Sequence, residues 1–89
     1  MKAIITVVGH DKVGIIAGVS GILAEANVNI LDINQTVLQE YFTMMMLVDM
    51  SDMKISLGEL NETLKNKGDE LGMSIRVQHE DIFKSMHQI

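Results

Sequence analysis

The chain has no cysteine and no proline, and its aromatic residues are limited to Tyr41, Phe42 and Phe83. Without cysteine there is no disulfide, no thiolate metal site and no thiol chemistry. That absence fits a reducing compartment. Without proline or any low-complexity stretch, no linker stands out, and no internal repeat is evident. Positive charge is also scarce: seven Lys and Arg face twelve Asp and Glu, for a net charge of −5, and Arg76 is the only arginine. Nucleic-acid binding calls for a basic face, with stacking aromatics where the strand is single, so direct nucleic-acid contact is not expected. No apolar run approaches the ~20 residues that a bilayer requires. The start, Met1-Lys2-Ala3-Ile4-Ile5, enters a β-branched run too short for a signal peptide, with no small-residue cleavage site after it. The expectation is a cytoplasmic protein with no membrane partner.

The 89 residues amount to one small domain, and 47% of them are apolar, enough for a real core. A domain of this size buries a modest share of its surface. Association with a second copy is the remaining way to hide more. Lys2 to Val8 carries Ile4, Ile5, Thr6, Val7 and Val8 with apolar residues on both parities, as in a central strand or one covered on both faces. Gly9-His10-Asp11-Lys12 then reads as a loop. Ile15, Ile16, Val19, Ile22, Leu23 and Ala26 follow at helical spacing. The opposite side holds Ala17, Gly18, Ser20, Gly21 and Ala24 where long charged residues would be usual. Either the helix tolerates small residues there or something packs closely against them.

Val28 to Leu38 alternates as a second strand, with Leu31, Ile33 and Val37 on one side and Asp32, Asn34 and Thr36 on the other. Tyr41 to Met50 is a third, with Phe42, Met44, Met46, Val48 and Met50 forming one apolar face, and Gln39-Glu40 is the turn between them. Ser56 and Glu59 have capping-box spacing. Leu57, Leu60, Leu64 and Leu71 continue a second helix that Gly72 stops. Met73, Ile75 and Val77 alternate as a fourth strand, and Ile82, Phe83, Met86 and Ile89 mark a short helical tail that Asp81 would cap. The order βαββαβ predicts an α+β, ferredoxin-like sandwich: a four-stranded antiparallel sheet with two helices on one face. The domain would span 1–79 and the tail 80–89.

That fold hosts many functions, so chemistry must come from a site. The first loop offers no arginine for an acyl phosphate and no cysteine pair for copper, and strand one has no aromatic for RNA bases. His10, His79 and His87 include no pair at i, i+3 or i+4, so no metal site is expected. Gly18-Val19-Ser20-Gly21 only superficially resembles a nucleophile elbow and lies within the helix. The eight methionines read as adaptable core packing. The chain is expected to be no enzyme and to carry no cofactor.

What remains is Gly9-His10-Asp11-Lys12-Val13-Gly14-Ile15, and after the helix Asn27-Val28-Asn29-Ile30. The free N–H groups of the helix N-terminus would face that loop and suit a carboxylate. Asp11 would take an ammonium group, and Asn29 offers both donor and acceptor. Together they suit a free amino acid. Equally, Asp11 would serve as the helix cap and Asn29 would shape a turn.

Asp11-Lys12-Val13-Gly14-Ile15-Ile16, the helix ending Glu25-Ala26, and Val28-Asn29-Ile30-Leu31-Asp32-Ile33 together resemble the ACT domain, a regulatory module of amino-acid metabolism. The resemblance covers Lys2 to His79, and with its tail the chain looks like small stand-alone bacterial ACT proteins. It is also similar to the ACT domains of the glycine-cleavage-system repressor. In serine-binding members a loop asparagine and an asparagine opening strand two hold the ligand; Asp11 and Asn29 occupy those places here. The histidine of those members is replaced by Gly9, with His10 one residue later, and their loop proline by Val13. The resemblance implies a homodimer joined through the second strands, with ligand near the seam. Its interface would include Ala17, Gly18, Gly21, Ala24, Asp32 and Asn34. A ligand-free module that binds a partner protein is the competing expectation.

Overall fold

The computed structural model describes residues 1–10 and 14–80. Its elements are β1 (Lys2–His10), α1 (Ile15–Glu25), β2 (Asn29–Leu38), β3 (Tyr41–Asp49), α2 (Leu57–Leu71) and β4 (Met73–His79). The strands form one antiparallel sheet in the order β2-β3-β1-β4, so β2 and β4 are its edges. This is the expected ferredoxin-like arrangement. The tail expected to be helical from Ile82 to Ile89 lies outside the described residues.

One parity of each central strand builds the core. Ala3, Ile5 and Val7 of β1 and Phe42, Met44, Met46 and Val48 of β3 are buried beneath the helices, against Val19 and Leu23 of α1 and Leu60 and Leu64 of α2. The methionines at 44 and 46 are fully buried, so the stripe on strand three is core. β1 has apolar residues on both parities because it is central, not because both faces are covered: Val8, on the far side, is 43% exposed.

Two boundaries differ from the sequence reading. Gly9 and His10, expected in the loop, extend β1; Gly9 pairs with Phe42 on one side and Met73 on the other. A side chain at Gly9 would come within 2.5 Å of the Met73 sulfur, so this glycine serves close packing between strands. β2 begins at Asn29 rather than Val28, because Val28 finishes α1. The Val28 N–H donates to the Leu23 carbonyl at 2.9 Å and the Asn27 N–H to the Ala24 carbonyl at 3.1 Å, the paired bonds of a Schellman ending. Asn27 holds the left-handed position (φ 61°), and its amide nitrogen donates to the Asp52 carbonyl at 3.0 Å. Asn27→Ala should therefore cost about 1 kcal/mol and Asn27→Gly much less, since only the first meets the left-handed penalty. Equal losses for both in urea denaturation would place the energy in the Asp52 bond instead.

α2 follows its expected punctuation. The Glu59 N–H donates to Ser56 Oγ at 3.1 Å at the start, and Gly72 ends the helix at φ 72°. α1 departs from expectation in how it is rotated. Ile16, expected among the core residues, is 40% exposed on the flank. Gly18, expected on the outer stripe, faces α2 instead: a side chain there would meet Lys67 and Leu71 at 3.6 and 3.7 Å. Burying Ile15, Val19, Leu23 and Ala26 turns Gly18 toward the neighbouring helix, one turn of which it lets approach.

Candidate ligand site and assembly surface

Asp11, Lys12 and Val13 lie outside the described residues; their flanks are well defined. β1 ends at His10, whose ring tilts at 38° against that of Tyr41 with centroids 5.0 Å apart. α1 opens at Gly14, which sits at φ 90°, ψ 1°, a conformation that excludes most side chains, and contributes no side-chain cap. The expectation that Asp11 caps the helix falls on a residue outside the described ones; the N-cap position itself is Gly14. The first helical bond runs from the Gly18 N–H to the Gly14 carbonyl at 2.8 Å. The N–H groups of the first turn precede that bond, and no acidic side chain of the turn neutralises them. Ile15 is buried and fixes this end of the helix on the sheet.

Asn29 is elsewhere. Across the sheet it pairs with Asp49, which pairs with Lys2, whereas His10 pairs with Tyr41 and Tyr41 with Leu38. The span from Lys2 to His10 is about 26 Å of strand at ~3.3 Å per residue. A single chain therefore holds Asn29 and the first loop at opposite ends of the sheet. Asn29 lines a cavity of about 350 Å³ with Ala24, Asn27, Val28 and Asp52. Close by, Asp49 accepts hydrogen bonds from the Ser51 hydroxyl at 2.6 Å and the Ser51 N–H at 2.9 Å, and these hold its carboxyl below the usual range. Asp52 and Tyr41 escaped the sequence reading. Tyr41 was reachable from the hairpin register, which sets it opposite the end of β1; Asp52 lies in an irregular connection that carries no pattern.

The β2 edge is the other notable surface. Leu31, Ile33 and Val37 are 44%, 39% and 55% exposed, and Ile16 of α1 is 40% exposed. Ala17, Gly21 and Ala24 lie on the uncovered side of α1, and nothing stands within 4 Å of where a Gly21 side chain would begin. Asp32 and Asn34 pair with Leu47 and Met45, which puts them on the sheet face away from the helices. A bulge between Ile30 and Asp32 keeps that alternation in register. Asp32 accepts the Ile33 N–H at 2.9 Å. Among the described residues no three His, Asp or Glu gather in a metal-binding group, and no helix is long and apolar enough to cross a membrane.

The sequence matches the model of the ACT domain over residues 2–78. A UPF0237 protein of Clostridium acetobutylicum is 60% identical over 89 residues, the whole of both chains. An ACT domain protein from Streptococcus pneumoniae superposes with a TM-score of 0.80 at 54% identity, over 93% of each chain. A structure described as a glycine cleavage system transcriptional repressor superposes with a TM-score of 0.75 at 25% identity, over 89% of this chain and 47% of that one. Sheet order, helix placement and sequence agree along the described length, and the chain belongs to the ACT domain family.

Proposed function

We propose that the chain is a cytoplasmic, non-catalytic regulatory module that binds a small amino acid at the seam of a homodimer. The observation that carries this reading is the separation of its two candidate ligand elements. The helix N-terminus behind the first loop suits a carboxylate, and Asn29 suits an amino acid's polar groups, yet they lie at opposite ends of one sheet. Antiparallel pairing of β2 with β2 of a second copy brings each loop toward the other chain's Asn29, so the site is complete only in the dimer. The exposed backbone and apolar side chains of β2 support such a seam, as does the outer side of α1 with Ala17, Gly21 and Ala24. Ligand contacts then come from Gly9, His10, Asp11, Lys12, Val13, Gly14 and Ile15 of one copy and Asn29 of the other. Membership of a regulatory family, and the likeness to a glycine cleavage system repressor, favour an amino acid as the ligand.

Screening the twenty amino acids by thermal shift tests the reading. A ligand at tenfold its Kd adds about 1.4 kcal/mol, a rise of several degrees in a domain this size. The rise should vanish in Asn29→Ala. No shift with any amino acid at millimolar concentration would leave the competing reading, a module that binds a partner protein without a ligand.

Assembly is tested separately. Sedimentation should show a dimer, and Val37→Lys should return it to monomer with its circular dichroism unchanged, because Val37 is half exposed in the single chain. A monomer at high micromolar concentration for the unmodified protein would rule out the seam. Gly18 is unsuitable for this test, since it faces α2.

A further inference from the structure

A cavity of about 620 Å³ lies between α2 and β4, away from both candidate elements of the seam. Asn61, Lys65 and Asp69 of the helix wall it on one side, and Ser74 and Arg76 of the strand on the other. We propose that this groove binds a free dicarboxylic amino acid, with its two carboxylates at Lys65 and Arg76 and its ammonium group at Asp69. It is a second site, and it does not rest on the reading of the seam.

The helix supplies a polar row. Asn61, Lys65 and Asp69 are four residues apart in sequence, so they share one side of α2 at about 6 Å from one to the next. Gly72 then turns the chain, and β4 follows. Lys65 lies about 10 Å of helix before that glycine, and Arg76 about 13 Å of strand after it. The two cations therefore stand at similar depth on the two walls, with Asp69 nearer the turn. Helix and strand close on each other between the walls. Gly68 is buried, and a Cβ there would come within 2.6 Å of the Met73 carbonyl.

The charges select the ligand. In a chain of net charge −5, two of the seven Lys and Arg line this one cavity. The ion pairs among the described residues are Met1–Asp49 and Lys67–Glu70, so Lys65, Asp69 and Arg76 take part in neither. Two cations and one carboxylate leave the groove one positive charge in excess. A dicarboxylic amino acid has one negative charge in excess, distributed as two carboxylates and one ammonium. An amino acid with a single carboxylate leaves one cation unmatched, and a plain dicarboxylate brings nothing for Asp69. The Ser74 hydroxyl and the Asn61 amide can donate to the remaining carboxylate oxygens. Ile75, which also lines the cavity and is buried, offers apolar surface to the ligand's methylene groups. Every contact comes from side chains of residues 61–76, and none uses the backbone edge of β4.

Isotopically labelled protein is titrated at low salt with L-glutamate, L-glutamine and glutarate. Glutamate should shift the amides of Lys65, Asp69, Ser74 and Arg76, and should bind more tightly than either of the others. Lys65→Gln and Arg76→Gln, both at exposed positions, should each weaken glutamate about fivefold, the scale of one partly exposed charge pair. Asp69→Asn should weaken glutamate and strengthen glutarate, reversing their order. The proposal is overturned if those amides stay unmoved at high millimolar glutamate. It is also overturned if glutarate binds the unmodified protein as tightly as glutamate, which would mark an unselective anion patch. Glutamate shifts confined to Gly14, Ile15 and Asn29 would sink the groove while leaving the seam reading intact. Shifts in the groove with none at those three residues would do the reverse.

Discussion

Gly68→Val should lose about 3 kcal/mol or more of stability, and it is the glycine substitution expected to do the most harm to the fold. Gly68 lies in the last turns of α2, where helix propensity alone would welcome any side chain. The neighbouring strand forbids it. An added Cβ would stand 2.6 Å from the Met73 carbonyl and 3.3 Å from Ile75 Cγ1. The carbonyl is backbone, so relief requires β4 or α2 to move, and β4 is held by its pairing with β1. Gly58 supplies the control. It is exposed in the first turn of the same helix, and a Cβ there would meet only Ser56 Oγ at 3.9 Å, an ordinary contact. Gly58→Ala should gain about 0.5–1 kcal/mol from the loss of glycine's unfolded-state freedom. Urea midpoints at unchanged m-value compare the two directly. Similar midpoints for both variants would mean that α2 and β4 do not approach as described.

Leu23→Ala should cost about 2–5 kcal/mol. Leu23 is fully buried in α1 and packs in the core beneath which β1 and β3 run. Its backbone carbonyl also accepts the Val28 N–H that ends the helix, a bond the substitution leaves in place. The loss is therefore one of packing: transfer of the removed atoms and the cavity left behind. A chain of this length has roughly 4–13 kcal/mol in total, at ~0.05–0.15 kcal/mol per residue, so the variant should be partly unfolded on warming. Leu38→Ala removes the same atoms at a position 71% exposed and should stay within about 0.5 kcal/mol in the monomer. If Leu38→Ala proved the more damaging in denaturation at low concentration, the division between core and edge would be wrong.

Much of the fold was legible because its signals are local and periodic. Alternation in β3, the i, i+4 rows of α2, the Ser56 cap and the Gly72 stop each depend on a few neighbouring residues, and each was found where expected. The boundaries that slipped are those set by distant partners. Gly9 looks like a loop residue by type, yet Met73, more than sixty positions away in sequence, pairs with it and needs its missing side chain. Val28 looks like a strand residue, yet the Leu23 carbonyl claims its N–H.

The candidate site divides along the same line. The sequence alone determined that the chain is a small α+β domain without thiol chemistry, with a glycine-flanked loop ahead of a helix and an asparagine opening the second strand. Those follow from residue types and spacings that no packing can alter. Only the tertiary structure decided that Asn29 and the flanks of the first loop stand at opposite ends of the sheet and that Gly18 turns toward α2. Strand direction and helix rotation depend on how elements far apart in the chain pack together, and the burial of a shared core, not any local preference, sets that packing.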